Sequence, residues 1–460
     1  MLPQPFIRRM QSLLGADSGA FFEALRESPP VSIRLNRSKG VLPACDFTRQ
    51  VPWCDSGRYL AQRPVFTLDP LLHGGAYYVQ EAASMALSQV ALQLLQKEEL
   101  KALDLCASPG GKATLLADFL PPGSLLVANE AIRSRVGALT ENVAKWGNAH
   151  VLVTHNDPRD FARLPGFFDA IFVDAPCSGE GMFRKDANAA GVWSEAGVQL
   201  CAERQRRIVA DAWSALKAGG YLVYTTCTFN VRENEENVLW MANELGATGV
   251  EIALKKEWGV TPTSELGLNL AKDALGYRFF PHKTPGEGFF MAVLQKNSGA
   301  DGGSPPLRAQ DKALRASANI PHELRRWILN PDDFVFVRAE RHVNAIPVRT
   351  HRWVRLLSNL LSVVREGVAV AEVKGSDCVP HAALALSTAL NPDAFPAVDL
   401  DLRRAQQFLK KESIAGTPQR KGFELIRYSG LPLGFIKNLG NRCNNLFPQE
   451  WRIRLMINEQ

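Results

Sequence analysis

The sequence predicts an α/β fold: a doubly wound, mostly parallel sheet, with an N-terminal extension before it and small α+β and β-rich segments after it. From 101 to 244, short apolar runs alternate with segments of helical periodicity, and strands that alternate with helices form parallel sheets. The first of these runs opens into a glycine turn, Ser108-Pro109-Gly110-Gly111-Lys112. Polar or reactive side chains end five successive strands, at the sheet edge where doubly wound folds bind their ligands.

In chain order, residues 1–80 read as a helical opening followed by Pro- and Gly-rich connections. Small and apolar residues at helical spacing predict one helix over 81–98. A strand over 101–107 enters the glycine turn, and a helix over 113–120 leaves it. A strand over 124–129, a helix over 133–146 and strands over 150–155 and 168–174 follow. A polar stretch and a helix over 198–217 lead to a fifth strand at 220–225 and a helix over 233–244. The segments 277–281 and 289–295 read as strands that finish the sheet. The run KNSGADGGS, followed by two prolines, has the composition of a flexible linker. The expected organisation is an extension at 1–80, the α/β segment at 81–296, a linker at 297–311, a small middle segment at 312–400 and a β-rich end at 401–460.

Composition narrows the function classes. The chain has 460 residues, 46% hydrophobic and 22% charged, enough for two to four globular domains. It contains no run of eighteen apolar residues, and arginines interrupt the N-terminal segment where a signal peptide carries its apolar core. Neither a membrane span nor a secretory signal is expected. The eight cysteines form no CxxC pair, so zinc is not expected, and neither is a disulfide framework. A reduced, cytoplasmic, metal-free monomer is the expectation. The last sixty residues hold eleven basic and five acidic side chains, a surplus of six that equals the whole net charge of +6. Such a basic end suits a nucleic-acid binder, and it equally suits a solvated charged surface.

The strand ends carry the candidate chemistry. After the first strand comes Cys106-Ala107-Ser108-Pro109-Gly110-Gly111-Lys112, where glycines let the backbone approach a ligand and the following helix N-terminus favours a carboxylate. The turn matches neither GxGxxG nor GxxxxGK[ST], which argues against a dinucleotide and a nucleotide-phosphate loop. Glu130 ends the second strand, placed to accept hydrogen bonds from ribose hydroxyls, and Asp157 follows the third. Asp174-Ala175-Pro176-Cys177 follows the fourth and Thr226-Cys227-Thr228 the fifth. Taken singly, an Asp here reads as a helix cap and a Cys as a small hydrophobe. Five together point to a ligand site. No histidine falls in these motifs to partner a cysteine hydrolase, and DAPC differs from the Asp/Asn-Pro-Pro-aromatic run of amino-methylating enzymes.

The stretches LDLCASPGGK, FDAIFVDAPCSGEGMFRKD and AGGYLVYTTCTFNVRENEENV resemble the signature motifs of the Nol–Nop–Sun family of RNA cytosine-5 methyltransferases. The likeness extends to RLNRSK at 34–39, LLHGGAYYVQEAASM at 71–85 and RFFPHKTPGEGFF at 278–290, and so covers about 1–295. The order of the later segments resembles the bacterial RsmF branch, with a small middle domain and a PUA-like RNA-binding end. GFELIRYSGLPLGFIKNLGNRCNNLFPQEWR at 422–452 carries that looser likeness. In this chain Ser108 stands where the family commonly has a second Ala.

The resemblance implies a Rossmann-like methyltransferase sheet that uses S-adenosylmethionine. Residues 106–112 would hold its methionine part, Glu130 its ribose and Asp157 its adenine, with Asp174 between cofactor and base. Carbon 5 of cytosine is a poor nucleophile until a thiolate adds to carbon 6, so covalent catalysis is needed. The resemblance gives Cys227 that attack and Cys177 a part in product release, with Asp174 at ring nitrogen 3. DNA enzymes of related chemistry use the Pro-Cys position, here Cys177. Small-subunit ribosomal RNA near the decoding centre is the implied substrate. Transfer RNA and a non-catalytic ribosome-assembly role are the alternatives. Phe183, Arg184 and Lys185 are candidates to stack on or clamp an extruded nucleotide.

Overall fold

The computed structural model describes residues 2–268, 275–297, 320–375, 377–415 and 420–455. Most of the expected linker at 297–311 lies outside the described residues.

The extension begins with two short helices, α1 (Gln4–Leu14) and α2 (Ser18–Arg26). It continues into an antiparallel sheet of β1 (Val31–Leu35), β2 (Phe47–Val51), β3 (Cys54–Leu60) and β4 (Tyr77–Val79), in the order β2-β3-β1-β4, with α3 (Pro70–His73) before the last strand. The sequence reading missed this sheet. Its strands are short, β2 faces solvent along most of its length, and β1 buries Arg34, so no apolar alternation announces them.

The helix α4 (Leu87–Leu94) leads into β5 (Lys101–Asp104), α5 (Gly111–Phe119), β6 (Leu125–Asn129), α6 (Arg133–Trp146), β7 (Val151–Thr154) and β8 (Phe168–Asp174). Then come α7 (Ala187–Val192), α8 (Glu195–Trp213), β9 (Leu216–Thr226) and α9 (Glu235–Leu245). The strands β10 (Ala247–Gly249), β11 (Thr261–Pro262), β12 (Tyr277–Phe279) and β13 (Phe289–Lys296) complete this part. Strands β5 to β9 are parallel, in the order β9-β8-β5-β6-β7, and β13 pairs antiparallel with β9. The direction of winding reverses between β5 and β8, so the crevice of the doubly wound fold opens at the ends of those two strands. Helices cover both faces, which is why all five residues of β6 and five of the seven in β8 are buried, with an apolar run through each.

The later segments contain α10 (His322–Arg326), β14 (Phe334–Ala339), β15 (His342–Pro347), α11 (Val348–Leu360), β16 (Val363–Arg365), β17 (Val368–Lys374), β18 (Asp377–Pro380) and α12 (Ala382–Ala385). The strands β14-β15-β17-β18 form one antiparallel sheet. The strand β16 leaves it and pairs antiparallel with β7, Val363 opposite Thr154, so it closes the edge of the central sheet. The apolar face of α11 packs on that sheet: Val354, Leu357 and Leu361 share a core with Leu103, Ile171 and Leu222, and Trp353 meets the Phe167 ring edge-on at 5.6 Å. The end of the chain holds β19 (Ala397–Leu400), α13 (Leu402–Leu409), β20 (Gly422–Tyr428), β21 (Leu431–Asn438) and β22 (Cys443–Asn445), with β19 parallel to β20. Among the described residues no helix is long and apolar enough to cross a membrane, and no His/Cys/Asp/Glu group could hold a metal.

Because α11 and β16 complete the central sheet, Leu357→Ala should destabilise the whole α/β segment by about 2–5 kcal/mol, as a core truncation does. Denaturant unfolding followed by tryptophan fluorescence tests this. A separate early transition, with the main one unmoved, would show that the middle segment folds apart from the sheet.

Candidate active site

At the reversal of winding a cleft of about 230 Å³ opens above β5 and β8. Of the residues singled out from sequence, Cys106, Ala107, Ser108, Pro109, Gly111, Lys112, Asp174 and Cys227 line it. Gly110, Glu130, Asp157 and Cys177 stand behind or beside it. Strand β5 ends at Asp104, earlier than expected, because the chain turns away into the glycine loop. Gly110 has φ +115°, a backbone that favours glycine, and it precedes α5 with no side chain capping that helix. A Cβ on Gly111 would lie 3.1 Å from the Tyr78 ring, so glycine here lets Tyr78 of β4 close one wall of the cleft.

Lys112 points its ammonium across the cleft, and Nζ donates to Oδ2 of Asp174 at 2.8 Å. Burial works against this charge, but Asp174 outweighs it and holds the lysine above its ordinary pKa. Thr225 donates to the other oxygen of Asp174 at 3.1 Å. Lys112, expected at the methionine end of a cofactor, thus ties the glycine loop to the end of β8.

Cys227 and Cys177 lie with their Sγ atoms 3.2 Å apart. The hydrogen bond to Cys227, followed by burial, pushes the Cys177 thiol well up, so it stays protonated at neutral pH. Burial also pushes up the Cys106 thiol. The two loops are tied together from behind. The buried Glu233 carboxylate accepts from the Ser178 N–H at 2.8 Å, the Ser178 hydroxyl at 2.5 Å, the Gln205 amide at 3.0 Å and the Thr228 hydroxyl at 3.3 Å. Thr226 donates to Asn234 at 2.6 Å, and the Gly181 N–H donates to the Cys227 carbonyl at 2.9 Å.

The second strand end is organised by a residue the sequence reading missed. Arg135 lies 3.3 Å from Oε2 of Glu130 and donates to the Ser108 carbonyl at 2.6 Å, so it fastens Glu130 to the glycine loop. Oε1 of Glu130 accepts from the N–H of Ile132, a half-exposed apolar side chain. At the third strand end the Asp157 carboxylate accepts the Arg159 N–H at 3.2 Å and forms a capping box with Asp160. Asp104 was also missed. It is fully buried, no side chain donates to its carboxylate, and burial, followed by the Asp174 charge, pushes it up to about 7. The signal for it is a carboxylate at the last position of a strand, and its burial was not readable from the sequence.

Phe183 and Arg184 are not free to meet a nucleotide. Phe183 is buried edge-on to Phe6 at 5.1 Å, and Arg184 donates to the carbonyls of Glu27, Ser28 and Gly286. Together with Arg9, which pairs with the buried Glu180 at 2.5 Å, they dock α1 and α2 onto the loop after β8. Lys185 pairs with Glu287 at 3.0 Å.

Family models agree with this architecture along most of the chain. That of the 16S rRNA methyltransferase RsmB/F matches residues 90–295, that of the N-terminal domain of 16S rRNA methyltransferase RsmF matches 2–82, and that of the RsmF PUA domain matches 395–453. The ribosomal RNA small subunit methyltransferase F of Erwinia tasmaniensis is 32% identical over 97% of this chain and 96% of its own. The chain belongs to the RsmF family. The RsmF protein of Escherichia coli O157:H7 is 31% identical over the same shares. A methyltransferase homologue from Pyrococcus horikoshii, 26% identical, superposes with a TM-score of 0.55 over 64% of this chain and 95% of its own. As an RsmF member the chain is an S-adenosylmethionine-dependent methyltransferase with a PUA domain at its end.

The buried Asp104 makes a pH prediction. Its pKa rises from 3.8 unfolded to about 7 folded, so the native state holds this proton more tightly. That contribution to stability is complete at low pH and is lost as pH climbs through about 7. Asp104→Asn should therefore melt progressively higher, relative to the parent, between about pH 5 and pH 8. An identical melting difference at both ends of that range would show that Asp104 has its carboxylate satisfied.

Proposed function

We propose that the chain methylates carbon 5 of a cytosine in small-subunit ribosomal RNA, through a covalent bond between Cys227 and carbon 6. The observation that carries this reading is the meeting of Cys227, Cys177, Lys112 and Asp174 at one end of the cleft.

The residues fit S-adenosylmethionine. The glycine loop with its uncapped helix N-terminus suits the methionine carboxylate, and the carboxylates of Asp104 and Asp174 suit its ammonium. Glu130 is the ribose acceptor, and Ile132 offers apolar surface to the adenine, with Asp157 nearby at the next strand end. Bound there, the cofactor supplies an electrophilic methyl group.

The chain's own residues do the rest. Lys112 places its ammonium in the cleft that Cys227 lines, on the side from which a base would meet the sulfur. The Cys227 thiolate adds to carbon 6, and the electron pair moves onto the ring, making carbon 5 nucleophilic. The Lys112–Asp174 pair stands where a proton can be shared with ring nitrogen 3, which stabilises the adduct. After methylation the carbon 5 proton must go to a base and Cys227 must leave as a thiolate. Cys177, protonated and 3.2 Å from that sulfur, is placed to donate a hydrogen bond to it as it leaves. Cys227 is taken as the attacking thiol because it lines the cleft, as the family resemblance implies. The relatives' names and the basic C-terminal end support ribosomal RNA as substrate and the cytoplasm as the place of action.

The two thiols can be told apart by incubating alanine variants with labelled ribosomal RNA and cofactor, then running a denaturing gel. Cys227→Ala should neither methylate nor crosslink. Cys177→Ala should methylate once and stall as a shifted protein–RNA band. A shifted band from Cys227→Ala and none from Cys177→Ala would exchange the roles, and full turnover by Cys227→Ala would end the covalent reading.

A further inference from the structure

A second cleft, of about 640 Å³, opens where the catalytic sheet meets the C-terminal segments, and it shares no lining residue with the first. Helix α6 forms one wall; His342, Arg355, Arg365 and His381 contribute from the middle segment, and Trp451 from the end of the chain. Arg365 is the anomaly. It is only 8% exposed, Nη1 donates to the Val151 carbonyl at 3.3 Å, and Nε and Nη2 have no partner at all. No carboxylate offsets its charge: burial alone acts on it and brings it down to about 10. Glu366, in the same cleft, turns to the Ser358 hydroxyl at 3.4 Å.

A buried guanidinium with two idle donors calls for an anion that the protein itself does not supply. The planar fork of arginine matches phosphate oxygens, the exposed Arg355 adds a second positive charge, and the exposed His342 offers a ring nitrogen to the same cleft. Trp451, partly exposed at the same cleft, is a ring on which a base can stack. We infer that this cleft binds one nucleotide of the RNA substrate, its phosphate on Arg365, Arg355 and His342 and its base against Trp451. This rests on the RNA reading above and adds a non-reacting anchor to it. The occupant is held away from the thiols, so the cleft serves affinity and not chemistry.

The test uses the full chain and a fluorescent single-stranded oligoribonucleotide. His342 and Arg355 are exposed, so the double variant His342→Ala/Arg355→Gln leaves folding untouched; it should raise Kd roughly tenfold and shrink the salt slope by about one or two. Arg365→Met should weaken binding similarly while its melting temperature stays level or rises, since it removes an uncompensated buried charge. Trp451→Ala should weaken the oligoribonucleotide but not inorganic phosphate. Uridine monophosphate should compete at lower concentration than inorganic phosphate; equal competition would overturn the base contact. Unchanged Kd in the double variant, or a fall in melting temperature that accompanies the loss in Arg365→Met, would overturn the site. A parent protein that binds no RNA would fail the RNA reading itself, whereas Cys227→Ala should bind the probe normally.

Discussion

Glu233 carries a buried carboxylate into the space between the two loops that bear the thiols, and the geometry of the reaction centre depends on it. Ser178 follows Cys177 and Thr228 follows Cys227, and both hydroxyls donate to the same carboxylate. One group therefore fixes two backbone segments that come from different strands. Burial raises its pKa, and the donors from Ser178 and Gln205 pull the other way, so the ionised form is sustained by its neighbours. Gln205 is held in turn by the Tyr224 hydroxyl and the Asn237 amide, which extends the network into α8 and α9. A polar network of this kind is rigid only when fully satisfied, since a single lost partner leaves a buried charge exposed to the low dielectric around it. The separation of the thiols is thus set from behind the site, leaving their cleft side open for a base.

The same logic explains why the cleft needs segments far apart in sequence. Glu180, one turn beyond Cys177, accepts from Arg9 of α1, from the Phe229 N–H and from the Asn230 amide, so the extension and the Cys227 loop share one acceptor. Arg278 of β12 forms a buried pair with Glu235 and donates to the Phe229 carbonyl. On the opposite wall Glu81 accepts the N–H groups of Ala83, Ser84 and Glu287. The parallel sheet supplies the strand ends, but the loops between them take their shape from the extension and from the antiparallel strands β12 and β13.

What was legible in the sequence follows from where the information lies. Strands β6 and β8 were readable because both faces are covered, which forces apolar runs, and α6 because its periodicity spans 133–146 without interruption. Cys227, Cys177 and Asp174 were readable because they sit directly at strand ends, where position along the chain is position in the site. Contacts made across the fold were not. Arg135 reaches Ser108 over 27 residues, and Arg184 reaches Glu27 over 157, and nothing local marks either side chain. Phe183 and Arg184 carried the chemistry of nucleotide contacts, yet the extension occupies them. The strand β16 was invisible for another reason: three residues at an edge carry no period, and only the need to cover β7 gives them a conformation.

Buried charges in this chain divide into two kinds, and the division separates scaffold from function. Arg34 is wholly inside, yet its guanidinium donates to Gln80, Asp118, Thr114 and the Gly111 carbonyl and lies 4.1 Å from the centre of the Trp146 ring. All three of its nitrogens are engaged, so it works as a joint between the extension and α5. Asp104 and Arg365 are buried to a similar degree, yet no side chain pairs with either. Burial of an unpaired ion is among the most destabilising arrangements a protein can hold, and substitution by an apolar residue of similar volume would relieve it. Both groups stand where a charged ligand would complete them: Asp104 beneath the glycine loop, next to the cleft that suits an ammonium group, and Arg365 at the cleft that suits a phosphate. On the readings proposed above, the stability forgone at these two positions is recovered when the ligand binds.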